Sequence, residues 1–98
     1  MTIDHSKSGD TLSVALNGRL DTTTAPQLEQ LLKGALEGVS ALHFDFGNLS
    51  YISSAGLRVL LGAQKTMNRQ GSMTVRNVRG EIMEIFEITG FADILTIE

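Results

Sequence analysis

Three short runs of this chain alternate apolar and polar residues strictly, and that alternation limits the folds open to it more than any other feature. Leu12, Val14 and Leu16 share one side of residues 11–17; Leu42, Phe44 and Phe46 stand opposite His43 and Asp45; Met73 and Val75 stand opposite Thr74 and Arg76. A two-residue period is that of a strand, and strands buried on both faces read instead as unbroken apolar runs. These strands therefore belong to a sheet with one covered face and one wet face. Ser8-Gly9-Asp10 offers a turn, which makes Ile3 to Ser6 a hairpin partner for the first run.

Three stretches with helical spacing supply the cover. The first follows Thr22-Thr23-Thr24, with Pro26 suited to an early helical position, Leu28, Leu31, Leu32 and Leu36 on one stripe, and Gly38 as the expected stop. The second begins at Ser54, turns Leu57, Leu60, Leu61 and Met67 inward, and ends at Gly71. The third runs from Gly80 to about Thr89, with Ile82, Ile85, Phe86 and Thr89 at three-and-four spacing. Ile94 to Ile97 reads as a short last strand. The order β-β-α-β-α-β-α-β describes one α/β domain over residues 1–98, with a mixed sheet and helices covering mainly one face.

The 98 residues, 42% of them apolar, are enough for one core and no more. Without cysteine, or histidines and carboxylates at ligand spacing, packing alone must hold it. A net charge of -3 argues against a nucleic-acid surface, which needs a basic face to displace counterions. No basic start precedes an apolar run, and no run approaches the roughly 18 apolar residues of a membrane span, so the expected location is the cytoplasm. The means of catalysis are equally thin. The pair Ser53 and Ser54 lies outside a Gly-x-Ser-x-Gly elbow, and the only imidazoles are His5 and His43. His43 and Asp45 share a strand face but offer two ligands where metal sites usually supply three or four, so they read as a solvated or hydrogen-bonded pair, and His5 as an exposed strand residue. No enzyme activity, metal or cofactor is expected.

Function is concentrated instead at Tyr51-Ile52-Ser53-Ser54-Ala55-Gly56-Leu57, where an extended run turns into a helix. A serine at a helix N-cap accepts a bond from an unpaired backbone N–H, and the partial positive charge there suits an anion such as phosphate. On spacing alone, Ser53 or Ser54 is a cap, a phosphate acceptor, or both. Arg58, Lys65 and Arg69 share one face of the helix that follows; such a stripe is either its solvated side or a patch for an acidic partner.

Ser53-Ser54-Ala55-Gly56-Leu57, Gly18-Arg19-Leu20-Asp21-Thr22-Thr23-Thr24-Ala25 and Ile85-Phe86-Glu87-Ile88-Thr89-Gly90-Phe91, by their order and spacing along the chain, resemble the STAS-domain family of anti-sigma-factor antagonists across residues 10 to 96. The resemblance places Ser54 where the family carries its phosphorylated serine, with Ser53 as the alternative acceptor. Ser53 stands where the family often has Asp, and Ala55 where it often has a second hydroxyl. Asp21 is then either a loop-capping carboxylate or a member of the loop beside the phosphorylation site. The resemblance further implies partner contact through Asp21, Thr22, Ser53, Ser54, Ala55, Gly56 and Arg58, with Arg58 within one turn of a phosphate on Ser54. The implied partners are an anti-sigma factor with serine kinase activity, which supplies ATP and Mg²⁺, and a metal-dependent serine phosphatase. Two other functions fit the same chain: an accessory subunit of a lipid-transport ATPase, and a nucleotide-binding sensor with Asp21, Ser53 and Ser54 as a phosphate cradle.

Overall fold

In the computed structural model, which describes all of residues 1–98, β1 (Thr2–Ser8) and β2 (Thr11–Leu20) form the expected hairpin around Gly9, whose φ of 60° suits a residue without Cβ. From there α1 (Ala25–Ala35) crosses to β3 (Ala41–Ile52), α2 (Ser54–Gln70) crosses to β4 (Ser72–Arg76), and α3 (Gly80–Thr89) leads into a short 3-10 turn at Phe91–Asp93. The sheet order is β1-β2-β3-β4, antiparallel between the first two strands and parallel thereafter. Parallel neighbours need a crossover, and the two helices after β2 and β3 provide it.

The core lies between this sheet and the helices. Leu12, Val14, Leu16 and Leu20 of β2, the buried side of β3, and Met73 and Val75 of β4 meet Leu28 and Leu32 of α1, Leu60 and Met67 of α2, and Ile82 and Phe86 of α3. Phe46 sits between Phe44 and Phe86, with ring centroids 5.6 and 6.4 Å away in tilted arrangements that suit aromatic quadrupoles. The opposite face of the sheet carries Ser13, His43, Asp45, Thr74 and Arg76 and has no helix over it, as the one-sided alternation requires.

Several expected details change. Leu31 and Leu61 are only half-buried and stand outside the core, and Thr89 is exposed; Ala63 and Gln64 occupy the buried side of α2 in place of Leu61. Thr89 instead returns its hydroxyl to the Ile85 carbonyl at 2.6 Å. Ile94 to Ile97 forms no strand: the chain makes a single bridge between Val75 and Ile97, with Val75 bonded to Thr96 and Glu98 on either side. The N–H groups of Ile94 and Leu95 still bond back to the Phe91 carbonyl, so only the last residues are free to pair with Val75. Helix α1 stops at Ala35, and Gly38, at φ 77°, turns the chain three residues later.

The far end of α2 is fastened to the end of α1. Gln70 donates from Nε2 to the carbonyls of Leu36 and Val39, both at 2.6 Å, and Ser72 N–H donates to the Ser40 carbonyl at 2.9 Å. This brings the chain at Gly71 so close to Ser40 that a Cβ there would overlap its carbonyl. Gly71→Ala is expected to lower stability by about 1–3 kcal/mol, the usual cost of overpacking, seen as a lower urea midpoint at unchanged slope. Gly62→Ala, where a Cβ meets nothing within 4 Å, should raise stability by up to about 1 kcal/mol, because Gly is a poor helix former.

Candidate functional site

The parallel pairing of β2 and β3 ends with Leu20 opposite Ile52, both buried under the helices. The two loops that leave these strands therefore emerge side by side at the carboxyl edge of the sheet, the usual place for a site in such folds. Ser53 N–H donates to the Leu20 carbonyl at 2.9 Å and joins them. This register brings the Asp21 loop to the Ser53-Ser54 junction, although 30-odd residues separate them in sequence.

Strand β3 reaches that register by taking up two extra residues. Between Asp45 and Asn48 it spans three steps while β2 spans two from Ala15 to Asn17, and between Leu49 and Tyr51 two while β2 spans one from Gly18 to Arg19. Each bulge restores the inward side, so the buried positions run Phe46, Leu49, Ile52 at intervals of three. Asp45 braces the first bulge: its carboxylate accepts from Gly47 N–H at 2.8 Å and Asn77 Nδ2 at 3.1 Å, and these donors, Gly47 first, hold its pKa below the ordinary value. His43 Nδ1 lies 2.6 Å from the Thr74 hydroxyl. Both members of the sequence pair are thus engaged in structural bonds on the wet face.

The loop after β2 is built around one carboxylate. Asp21 Oδ1 accepts from the Thr23 hydroxyl at 2.8 Å, Thr23 N–H at 3.0 Å and Thr24 N–H at 3.1 Å, and the Thr24 hydroxyl donates to the Arg19 carbonyl at 2.8 Å. The Thr23 hydroxyl is the main reason that the Asp21 pKa is lowered. Asp21 is therefore a loop cap, in the loop that the bond from Ser53 to Leu20 holds beside the serine pair. Thr22 is exposed next to it.

The serines divide the work at the start of α2. Ser53 is the N-cap: its backbone is extended, and its hydroxyl accepts from Gly56 N–H at 3.4 Å, the long end of the hydrogen-bond range. Ser54 is the first helical residue and is exposed; its hydroxyl bonds to no protein group. Ala55 is half-buried. Gly56, expected at the contact surface, is buried, and a Cβ there would stand 2.8 to 3.0 Å from Leu20 and Ile52. Its role in the fold is steric: it lets the helix start settle on the two strand ends.

Arg58 is exposed four residues beyond Ser54, on the same helix face, beside a groove between α1 and α2 whose floor includes Leu32, Leu36, Val59 and Ala63. Arg58, Lys65 and Arg69 enter none of the three ion pairs, which join Arg19 to Asp21, Arg76 to Glu98 and Arg79 to Glu81. Neither that groove nor the broad hollow on the wet face is lined by Asp21, Ser53 or Ser54. The pair the sequence reading missed is Arg19 and Tyr51. They face each other across β2 and β3, with the guanidinium 4.1 Å from the ring centroid. Only the pairing register brings them together, and the bulges hide that register from the sequence.

Residues 2–98 match the family model of the STAS domain. An anti-sigma-B factor antagonist of Staphylococcus epidermidis is 33% identical over 96 residues, which cover 96% of this chain and 86% of that protein. The anti-sigma-B factor antagonist of Bacillus subtilis is 30% identical over 98 residues, covering 99% and 90%. Among solved structures, the anti-sigma factor antagonist SpoIIAA in its unphosphorylated form has a TM-score of 0.79 at 18% identity, over 99% of this chain and 87% of that one. Bacillus SpoIIAA in the phosphorylated form has a TM-score of 0.78 at 19% identity, over 99% and 91%. No helix of this chain is long and apolar enough to cross a membrane.

Two measurements check the geometry. Ser53→Ala should cost about 0.5–1 kcal/mol of stability, the lower part of the capping range, while Ser54→Ala leaves the unfolding midpoint unchanged; equal losses would contradict the assignment of the cap. A carboxyl whose pKa falls on folding adds stability above its unfolded-state pKa and loses it as the pH drops through the lower folded value, so the Asp21 loop should loosen only as the pH falls below the ordinary carboxylate value. Thr23→Val removes the principal donor, and carbon NMR of the Asp21 carboxyl should then record a midpoint moved back up towards the ordinary value. An unmoved midpoint would show that the Thr23 hydroxyl does not govern it.

Proposed function

The chain belongs to the STAS-domain family of anti-sigma factor antagonists, and from that premise we propose that its unmodified form binds an anti-sigma factor that is also a serine kinase, releases the sigma factor held there, and is switched off by phosphorylation of Ser54. The observation that carries the choice of residue is the division between the two serines. Ser53 already spends its hydroxyl on the helix cap, whereas Ser54 is exposed and unbonded one residue later. In the reaction the Ser54 oxygen forms a bond to the γ-phosphorus of ATP, ADP leaves, and the hydroxyl proton passes to a base of the kinase. A metal-dependent serine phosphatase hydrolyses the ester and returns the alcohol. ATP and Mg²⁺ are the partners' equipment.

Phosphorylation adds about -1.5 to -2 charges at neutral pH. At an exposed helix N-terminus an anion is favoured by about 0.3–1 kcal/mol, so the domain itself tolerates it. That the fold of this chain is equally like SpoIIAA in both of its forms, with TM-scores of 0.79 and 0.78, supports a switch without refolding. The cost falls on the complex. A charge trapped unpaired in an interface costs several kcal/mol, and about 1.4 kcal/mol is already tenfold in affinity. Asp21, Thr22, Ala55 and Arg58 surround Ser54 as the proposed contact surface, and Arg58 is free of any ion pair in the chain.

The test uses a purified anti-sigma serine kinase of the source organism with ATP, followed by intact-mass and site-mapping spectrometry, which should find one phosphate on Ser54. Ser54→Asp should weaken kinase binding by about tenfold or more at an unchanged unfolding midpoint, and Ser54→Ala should bind yet accept no phosphate. If Ser54→Asp binds as tightly as the parent chain, the switch does not work through charge at this residue.

A further inference from the structure

We propose that Arg19, held against the ring of Tyr51, is an anchor that receives a carboxylate of the partner, extending the docking surface from the start of α2 around the carboxyl edge of the sheet. The inference rests on the function proposed above and adds to it a second recognition group with its own chemistry. The neighbours of Arg19 and Tyr51 in the chain, Leu20 and Ile52, point into the core, so the alternation of the strands turns Arg19 and Tyr51 to the wet side. Their position is still part of the site: each is two residues from a site residue, Arg19 from Asp21 and Tyr51 from Ser53.

The guanidinium is fixed from two directions. Its carbon lies 4.1 Å from the Tyr51 ring centroid, and Nε lies 3.8 Å from Asp21 Oδ2. The Arg19 side chain nevertheless remains 61% exposed, Tyr51 is 37% exposed, and the terminal guanidinium nitrogens bond to no protein group. The other cations differ. Arg76 and Arg79 hold Glu98 and Glu81 at 2.9 and 3.3 Å, while Arg58, Lys65 and Arg69 are unpaired on a helix face. Arg19 is the one cation stacked on an aromatic ring, and its terminal nitrogens are left open.

An exposed stacked pair does little for the stability of the fold, so its value lies in what docks on it. A guanidinium already held in one orientation loses less freedom on binding, and its planar fork matches a carboxylate through two parallel bonds. Arg and Tyr are also the residues most enriched among those that dominate interface energies. The carboxylate is chosen over a nucleic-acid phosphate because the chain carries a net charge of -3 and lacks a broad basic face around Arg19.

The probe is the purified kinase that phosphorylates Ser54. Arg19→Ala should weaken its binding by about tenfold and Arg19→Glu by more, with Tyr51→Ala intermediate and Arg19→Lys recovering only part of the loss. As a docking anchor, Arg19 should change KM for Ser54 phosphorylation and leave kcat alone, and it should weaken the parent chain and Ser54→Asp by the same factor. The amide NMR signals of Thr23 and Thr24 should stay in place in Arg19→Lys, which separates docking from support of the loop. An exposed Asp or Glu of the kinase changed to Arg should restore binding of Arg19→Glu. Binding of Arg19→Ala and Arg19→Glu within about twofold of the parent chain, or rescue by no acidic-to-Arg variant, overturns the anchor while the Ser54 switch stands. A parent chain that neither binds the kinase nor accepts phosphate overturns both.

Discussion

The register between β2 and β3 is the constraint on which the rest of this molecule depends. Because the pairing ends with Leu20 against Ile52, the backbone of Ser53 closes onto the Leu20 carbonyl and the loops from both strands share one edge. Gly56 then allows α2 to descend onto the same two side chains, at a distance no residue with a Cβ could keep without displacing them. A slip of β3 by one residue against β2 would turn Ile52 out of the core and Tyr51 into it. Burial thus fixes, through the strand alternation, which side chains the site presents to solvent.

Much of this architecture was legible in the sequence because it obeys simple periods. The one-sided alternation of Leu12, Val14 and Leu16 and of Leu42, Phe44 and Phe46 announced a sheet covered on one face, and α3 begins and ends where its spacing placed it. The period of two fails after Phe46, where two bulges make Leu49 and Ile52 the next buried residues, so β3 looked shorter than its twelve residues. Helical spacing also overstated the core. It treats a stripe as uniformly buried, whereas Leu31 and Leu61 fall at its margins and are only half-buried. At the chain end, short apolar composition suggested a strand, but Gly90 at φ 82° and the 3-10 turn redirect the backbone until one bridge is left.

The site was legible to a different degree. Its serines and Asp21 lie in short motifs, so the sequence could name them; what each does depends on hydrogen bonds the sequence does not contain. Ser53 takes the capping role in a position where an Asp is common in the family, and both residue types can accept from the helix N–H groups. Asp21 accepts three bonds from Thr23 and Thr24, which explains why a charged side chain can persist in a loop that must keep one shape. Arg19 and Tyr51 are far apart in sequence and belong to no motif, so only the paired strands reveal them.

In the proposed switch, capping and modification fall on different serines, which would keep two energies apart. If one serine did both jobs, phosphorylation would exchange the cap's bond to Gly56 for a dianion, and the affinity change would be mixed with a change in the helix itself. With Ser53 holding the helix, a charge on Ser54 meets a helix end that favours anions by up to about 1 kcal/mol, while the same charge pressed into an interface costs several. The two effects have opposite signs and different locations, one in the free domain and one in the complex. Their difference acts wholly on binding, so a rigid domain can be switched in its affinity without a second conformation.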